Sequence, residues 1–188
     1  MDAASERRLL LRATVVTGGA LAVATAWPFI ASLWPSARAL AAGAPVDADL
    51  TRLAAGDLMT VEWRGRPVWI LHRTPAMLAS LEADAARLND PASARSQQPP
   101  ACRNSVRALR PEYFVAVGIC THLGCVPTFR PEAGAADLGA DWPGGFYCPC
   151  HGSRFDLAGR VFRNVPAPLN LEVPPYSFPD PAHVRVGA

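Results

Sequence analysis

The chain has 188 residues, of which 50% are hydrophobic and 18% charged, with a formal net charge of +2. This composition excludes a wholly disordered chain, and the length suits one modest domain with appendages. The arginines are scattered rather than gathered into a stripe that could neutralise phosphates, so nucleic acid is not expected as a partner.

Residues Ala13 to Trp34 carry no ionisable side chain. At about 1.5 Å per residue, a helix over this stretch reaches roughly 33 Å, enough for the ~30 Å hydrocarbon core of a bilayer. A transmembrane anchor is therefore expected over 13–34, kinked at Pro28 where a neighbouring helix can re-satisfy the freed carbonyl. Arg7, Arg8 and Arg12 precede the apolar run, whereas Arg38 and then Asp47 and Asp49 follow it. Positive charge stays inside, so residues 1–12 are read as cytoplasmic and the chain beyond the anchor as exported, at a bacterial cell membrane with the domain on the periplasmic side. Arg7-Arg8-Leu9-Leu10-Leu11-Arg12 also resembles a twin-arginine export signal, and such signals serve domains that fold around a cofactor before translocation. A cleavable signal ending near Ala39-Leu40-Ala41 is the competing reading, but the apolar run exceeds the usual ~7–15 residues of such signals. Residues 35–46, PSARALAAGAPV, are too small to join a core and form either a passive linker or, if the domain beyond travels, a hinge.

The exported domain, 47–188, opens with two β-branched and aromatic runs, Thr60 to Arg64 and Pro67 to His72, flanking Gly65 as a hairpin. Thr74 is a helix cap, Pro75 suits the first helical position, and Met77, Leu78, Leu81, Ala85 and Leu88 share one helical face. From Asn89 to Arg110 no period survives and Pro91, Pro99 and Pro100 intervene, which reads as a long surface loop containing Cys102 as a free surface thiol. Tyr113 to Ile119 is a buried-strand candidate, Leu169 to Phe178 is proline-rich, and His183 to Val186 is a last short strand. The expected fold is mainly β, small antiparallel sheets with one helix, plus the N-terminal transmembrane helix. His72 and His183 lie in these strand contexts and are read as structural.

Four of the five cysteines and two of the four histidines fall into two boxes, Cys120-Thr121-His122-Leu123-Gly124-Cys125 and Cys148-Pro149-Cys150-His151-Gly152-Ser153. Six soft or borderline ligands exceed the four of a tetrahedral site. By spacing alone, structural zinc held by any four of them in a small exported module remains open.

The two boxes resemble those of Rieske proteins, in which two histidines replace two cysteines on one iron of a [2Fe–2S] cluster. The resemblance runs from the anchor to about Pro175. It implies that Cys120 and Cys148 hold one iron, that His122 and His151 hold the other, that Ser153 lies in the cofactor-binding loop, and that Cys125 and Cys150 form a disulfide. The cluster-binding loops are then 118–128 and 146–156. A bridge persists in an oxidising compartment and would contribute roughly 3–4 kcal/mol in the chain-entropy model. Pro166 to Pro174 is similar to the proline-rich loop that covers the cluster in respiratory members. Ring-hydroxylating oxygenases and their ferredoxins share the cluster but lack the paired cysteines, which separates them from this chain. An arsenite-oxidase-type small subunit is the nearer rival, against which the proline loop and the retained anchor speak.

The function this resemblance implies is the iron–sulfur subunit of a quinol–cytochrome c oxidoreductase, a dimeric complex. Its partners are a cytochrome b subunit, a c-type cytochrome, quinol and the membrane. His122 and His151 would accept the quinol proton, and the cluster one electron. The chain departs from many mitochondrial members at Phe155, where they carry a tyrosine whose hydroxyl donates to a ligand sulfur.

Overall fold

The computed structural model describes residues 2–37, 39 and 43–187. Arg38, Leu40, Ala41 and Ala42, which belong to the expected hinge and the cleavage-like tripeptide, lie outside them. The chain divides into two compact units, Met1–Ala41 and Ala42–Ala188.

In the first unit, α1 runs from Ala3 to Ser32, with the Asp2 carboxylate accepting from the Ala4 amide at its start. The helix continues through Pro28 and takes in Arg7, Arg8 and Arg12 at its N-terminal end. Thr14, Thr17 and Thr25 donate to carbonyls one turn back, which satisfies hydroxyls in an otherwise apolar run. α1 is long and apolar enough to cross a membrane.

The second unit is built from three three-stranded antiparallel sheets. β1 (Val46–Asp49), β9 (His183–Val186) and β8 (Tyr176–Asp180) form one, pairing the two ends of the unit through Val46 opposite Val186 and Asp49 opposite His183. The strand β8 starts only after Pro174 and Pro175, which have no amide to donate, and it tolerates Pro179 because it lies at the sheet edge.

β2 (Leu58–Trp63), β3 (Arg66–His72) and β4 (Tyr113–Val117) form the second sheet. The β2–β3 hairpin turns on Arg64 and Gly65, both left-handed with φ of 53° and 69°, as a two-residue loop matched to strand twist requires. Val68 to Leu71 and Phe114 to Val117 are all buried, so these strands read as continuous apolar runs rather than alternating ones. β5 (Thr128–Arg130), β6 (Gly145–Tyr147) and β7 (Arg154–Phe155) make the third and smallest sheet. It joins the core where Phe146 stacks on Trp69, ring centroids 4.8 Å apart.

Three expectations need correction. α2 spans Pro75–Ala83, capped by Thr74 accepting from the Met77 amide, and does not reach Leu88. A 3-10 turn over Ala85–Arg87 follows, and Leu88 is extended, bridging to Phe162 in a small satellite core with Leu138 and Trp142. The segment from Asn89 to Arg110 is irregular, apart from a 3-10 turn at Pro100–Cys102, but it is not a surface loop, since Asp90, Ser93, Ser96, Cys102 and Arg107 are buried. Its interior placement works because side chains satisfy its backbone: Asp90 accepts from the Ala94 and Arg95 amides, and the Asn170 amide donates to the Asp90 carbonyl. Cys102 is free but fully buried, its sulfur 3.7 Å from the Tyr176 hydroxyl.

His72 and His183 behave as structural residues. The Nδ1 of His72 is 2.9 Å from the Leu53 carbonyl and its ring stacks on Tyr113. His183 pairs with Asp180, whose hydrogen bond holds the imidazole pKa above its ordinary value.

Candidate metal centre

The first box leaves β4 through Gly118, and the reason for a glycine there is the Trp69 indole, which occupies the space a Cβ would need. The second box is the connection between β6 and β7. In each box the glycine amide donates to the carbonyl of the cysteine four residues earlier, Gly124 to Cys120 at 3.1 Å and Gly152 to Cys148 at 2.9 Å. Each cysteine amide in turn donates to the carbonyl five residues on, Cys120 to Cys125 at 2.7 Å and Cys148 to Ser153 at 2.8 Å. The two loops are therefore one turn used twice, and both glycines are left-handed, with φ of 84° and 77°. A Cβ at either would meet nothing within 4 Å, so backbone conformation alone selects glycine.

This shared turn sorts the six ligand candidates. Cys120 and Cys148, at the matching first positions, are each 2% exposed. Cys125 and Cys150 are joined in a disulfide that ties one loop to the other. The sulfurs of Cys125, Cys148 and Cys150 lie within 4.8 Å of one another, but with two of them bonded together only Cys148 is free to bind a metal. His122 is half-buried and His151 exposed, and their rings meet edge to face with centroids 4.8 Å apart. Two buried thiols thus lie with one exposed and one half-buried imidazole. Burial pushes the Cys120 thiol up, reinforced by the neighbouring Cys148, against the pull of the His122 amide and the Ser153 hydroxyl. A cationic centre would stabilise both thiolates against that burial. The donor set of two sulfurs and two imidazole nitrogens fits a [2Fe–2S] cluster ligated through histidine.

Ser153 is fully buried and does two things: its hydroxyl accepts from the Ala167 amide at 3.0 Å and faces Cys120. Thr121, which the spacing of the boxes gave no reason to single out, donates to the Leu169 carbonyl at 2.6 Å. The proline-rich stretch is thereby fastened once to each box. A third fastening, from the Val117 amide to the Glu172 carbonyl, carries it along the end of β4. Phe155 is fully buried in the same core cluster as Cys120 and Cys148. On the outer face of the first box, Leu123 and Val126 are 71% and 55% exposed.

A Rieske [2Fe-2S] domain is matched over residues 95–176. The ubiquinol-cytochrome c reductase iron-sulfur subunit of Allochromatium vinosum is 56% identical over 181 residues, covering 96% of this chain and 87% of that protein. The subunit of the same name from Blastochloris viridis is 44% identical over 186 residues, covering 98% of this chain and 94% of that one. The mitochondrial Rieske subunit of the cytochrome b-c1 complex from Neurospora crassa is 40% identical over 178 residues, 92% of this chain and 68% of its own length. Among solved structures, a chain of a hyperthermophilic respiratory Complex III superposes with a TM-score of 0.51 at 22% identity, covering 91% of this chain and 98% of that one, and so supports the fold. With two equivalent loops carrying the donor set of such a cluster, and relatives this similar over nearly its full length, the chain belongs to the Rieske iron–sulfur subunits of ubiquinol–cytochrome c reductase.

Proposed function

We propose that the chain takes one electron and one proton from a quinol at its loop tip and passes the electron to a c-type cytochrome. The observation that carries this reading is the pairing of two buried thiols with one exposed and one half-buried imidazole on two equivalent loops. Cys120 and Cys148 would hold one iron and His122 and His151 the other, and a cluster so ligated, with two neutral nitrogen ligands, would supply a one-electron acceptor at a potential raised toward that of quinols. The outer nitrogen of an imidazole at the tip accepts the quinol hydroxyl as a hydrogen-bond donor and takes its proton as the electron leaves. The disulfide keeps the loops in register, and the fastened proline-rich stretch limits water on their buried side.

The segments serve this traffic. Residues 1–12 lie in the cytoplasm after twin-arginine export, 13–34 cross the bacterial inner membrane once, 35–46 act as the hinge, and 47–188 form the periplasmic domain. A cytochrome b subunit completes the quinol site in a dimeric complex. Over 12 hinge residues, changing from helical to extended reaches up to about 20–25 Å, enough to serve two partners.

Low-temperature electron paramagnetic resonance of the reduced complex tests the ligand set. A histidine-ligated [2Fe–2S] spectrum is expected, with a potential that falls by about 59 mV per pH unit wherever one proton accompanies the electron. Zinc without any signal overturns the reading, and a potential independent of pH removes the proton.

A further inference from the structure

We propose that a cationic cleft beside the second cysteine–histidine loop receives an acidic side chain of the electron-accepting c-type cytochrome. The cleft, about 540 Å³, is lined by Arg87, Arg154, Arg163 and Asp141 over Trp142 and Phe162. Gly152, the residue after the exposed His151, forms part of the same wall, so the cleft borders the second cysteine–histidine loop. The inference rests on the redox reading above.

Charge accounting in the cleft leaves cations over. Arg87 is engaged with Asp84 at 3.1 Å and with Asp141 at 2.9 Å. Arg163 donates through Nε to the Leu88 carbonyl, which leaves its terminal nitrogens free of any ion pair among the described residues. Arg154 has no carboxylate partner among those residues either; its guanidinium carbon lies 5.9 Å from the centroid of the Trp142 ring. Two guanidiniums without a carboxylate partner among the described residues, that of Arg154 lying over the Trp142 ring, offer donors to a carboxylate that enters the cleft.

The two flanks of the tip differ in chemistry, and this assigns the partner. The first box presents Leu123 and Val126, largely exposed and apolar, which suits a quinol and an apolar partner surface. The second box is flanked by the arginines, which suit a water-facing acidic partner. One tip can thus distinguish donor from acceptor by the side it presents.

The test uses the assembled complex with Arg154→Gln and Arg163→Gln, singly and together, and follows oxidation of the reduced protein by its c-type cytochrome across ionic strength. At low salt the double variant is expected to transfer about tenfold more slowly, with a flattened salt dependence, and to converge with wild type at high salt. Arg163→Gln, which lies outside the cluster-binding loops, keeps the paramagnetic resonance signal and potential of wild type, which places its loss in docking rather than in the centre, and Arg154→Lys recovers part of the rate lost in Arg154→Gln. Identical rates and salt dependence in wild type and double variant, in a complex that quinol reduces normally, overturn the cleft alone. Loss of binding to phosphatidylglycerol vesicles with unchanged cytochrome kinetics assigns the cleft to a lipid headgroup and also overturns it. A wild type that quinol cannot reduce overturns the redox reading and this inference with it.

Discussion

The cysteine–histidine loops and the irregular segments 89–110 and 156–160 contain almost no regular structure, yet they are ordered by opposite means. At the tip, two backbone turns are closed by their own amides and joined by a disulfide, which leaves His151 and Leu123 exposed and His122 half-buried. Around the other region, three buried guanidiniums donate to backbone carbonyls, while Arg73 Nη2 and Arg107 Nε have no hydrogen-bond partner among the described residues. Arg73 reaches Pro111, Val106 and Leu157; Arg107 reaches Ala158, Gly159 and Leu171; Arg160 reaches Leu81 and pairs with Asp156. Interior backbone must find donors, and one arginine brings five. Burial lowers the pKa of Arg73 and Arg107 to about 10 each, which leaves both charged at neutral pH. The difference teaches that a loop which must stay accessible is ordered covalently and by its turns, whereas a loop that can be covered is ordered by hydrogen bonds from within.

Substitutions can break this contrast, and the largest effect is expected in the covered region. Arg107→Met leaves the buried Ala158 and Leu171 carbonyls without their donor and should cost about 3–5 kcal/mol in urea unfolding, while folded molecules keep a native cluster spectrum. A cost near zero would mean the guanidinium does not order the segment. Cys125→Ser should also destabilise, but by loosening the tip. It removes roughly 3–4 kcal/mol of loop constraint and lowers cluster occupancy, while any remaining centre keeps its spectrum, since on the proposed ligand set neither disulfide cysteine binds iron; an altered spectrum would contradict that division.

Smaller changes sharpen the comparison within the tip. Gly124→Ala and Gly152→Ala should each cost about 1–2 kcal/mol, nearly equally, because the two turns are alike and only the left-handed backbone is strained; markedly unequal thermal shifts would break the equivalence. Thr121→Val removes one fastening of the proline-rich stretch for about 1 kcal/mol, and amide exchange should accelerate near Leu169 without a matching change near Ala167. The smallest effect on stability is expected for Phe155→Tyr. A hydroxyl that reaches a ligand sulfur withdraws negative charge and raises the potential, so a redox titration matching wild type would show that position 155 does not point there.

Much of the site was legible because its signals are local. Gly124 and Gly152 mark left-handed turns, Gly65 marks the hairpin, and Thr74-Pro75 marks a helix start within a few residues of the chain each time. β5, β6 and β7 were not, since strands of two or three residues carry no period. Nor was the likeness of the two boxes, because His122 sits third in one and His151 fourth in the other, whereas the repetition lies in backbone hydrogen bonds that residue types do not spell out.

By itself the sequence determined the donor chemistry, the apolar length of the N-terminal helix and the turns, since residue type and short-range sterics decide these. The tertiary structure decided which cysteines are buried and which bonded, why Cys102 lies inside, and that a polar, period-free segment runs through the interior. Those outcomes depend on groups distant in the chain, such as Arg160 and the Leu81 carbonyl 79 residues apart or Arg66 and Glu172 106 apart. Burial is a property of the packed whole, so no local pattern of Asn89 to Arg110 could disclose that arginines elsewhere would supply the donors its neighbouring carbonyls require.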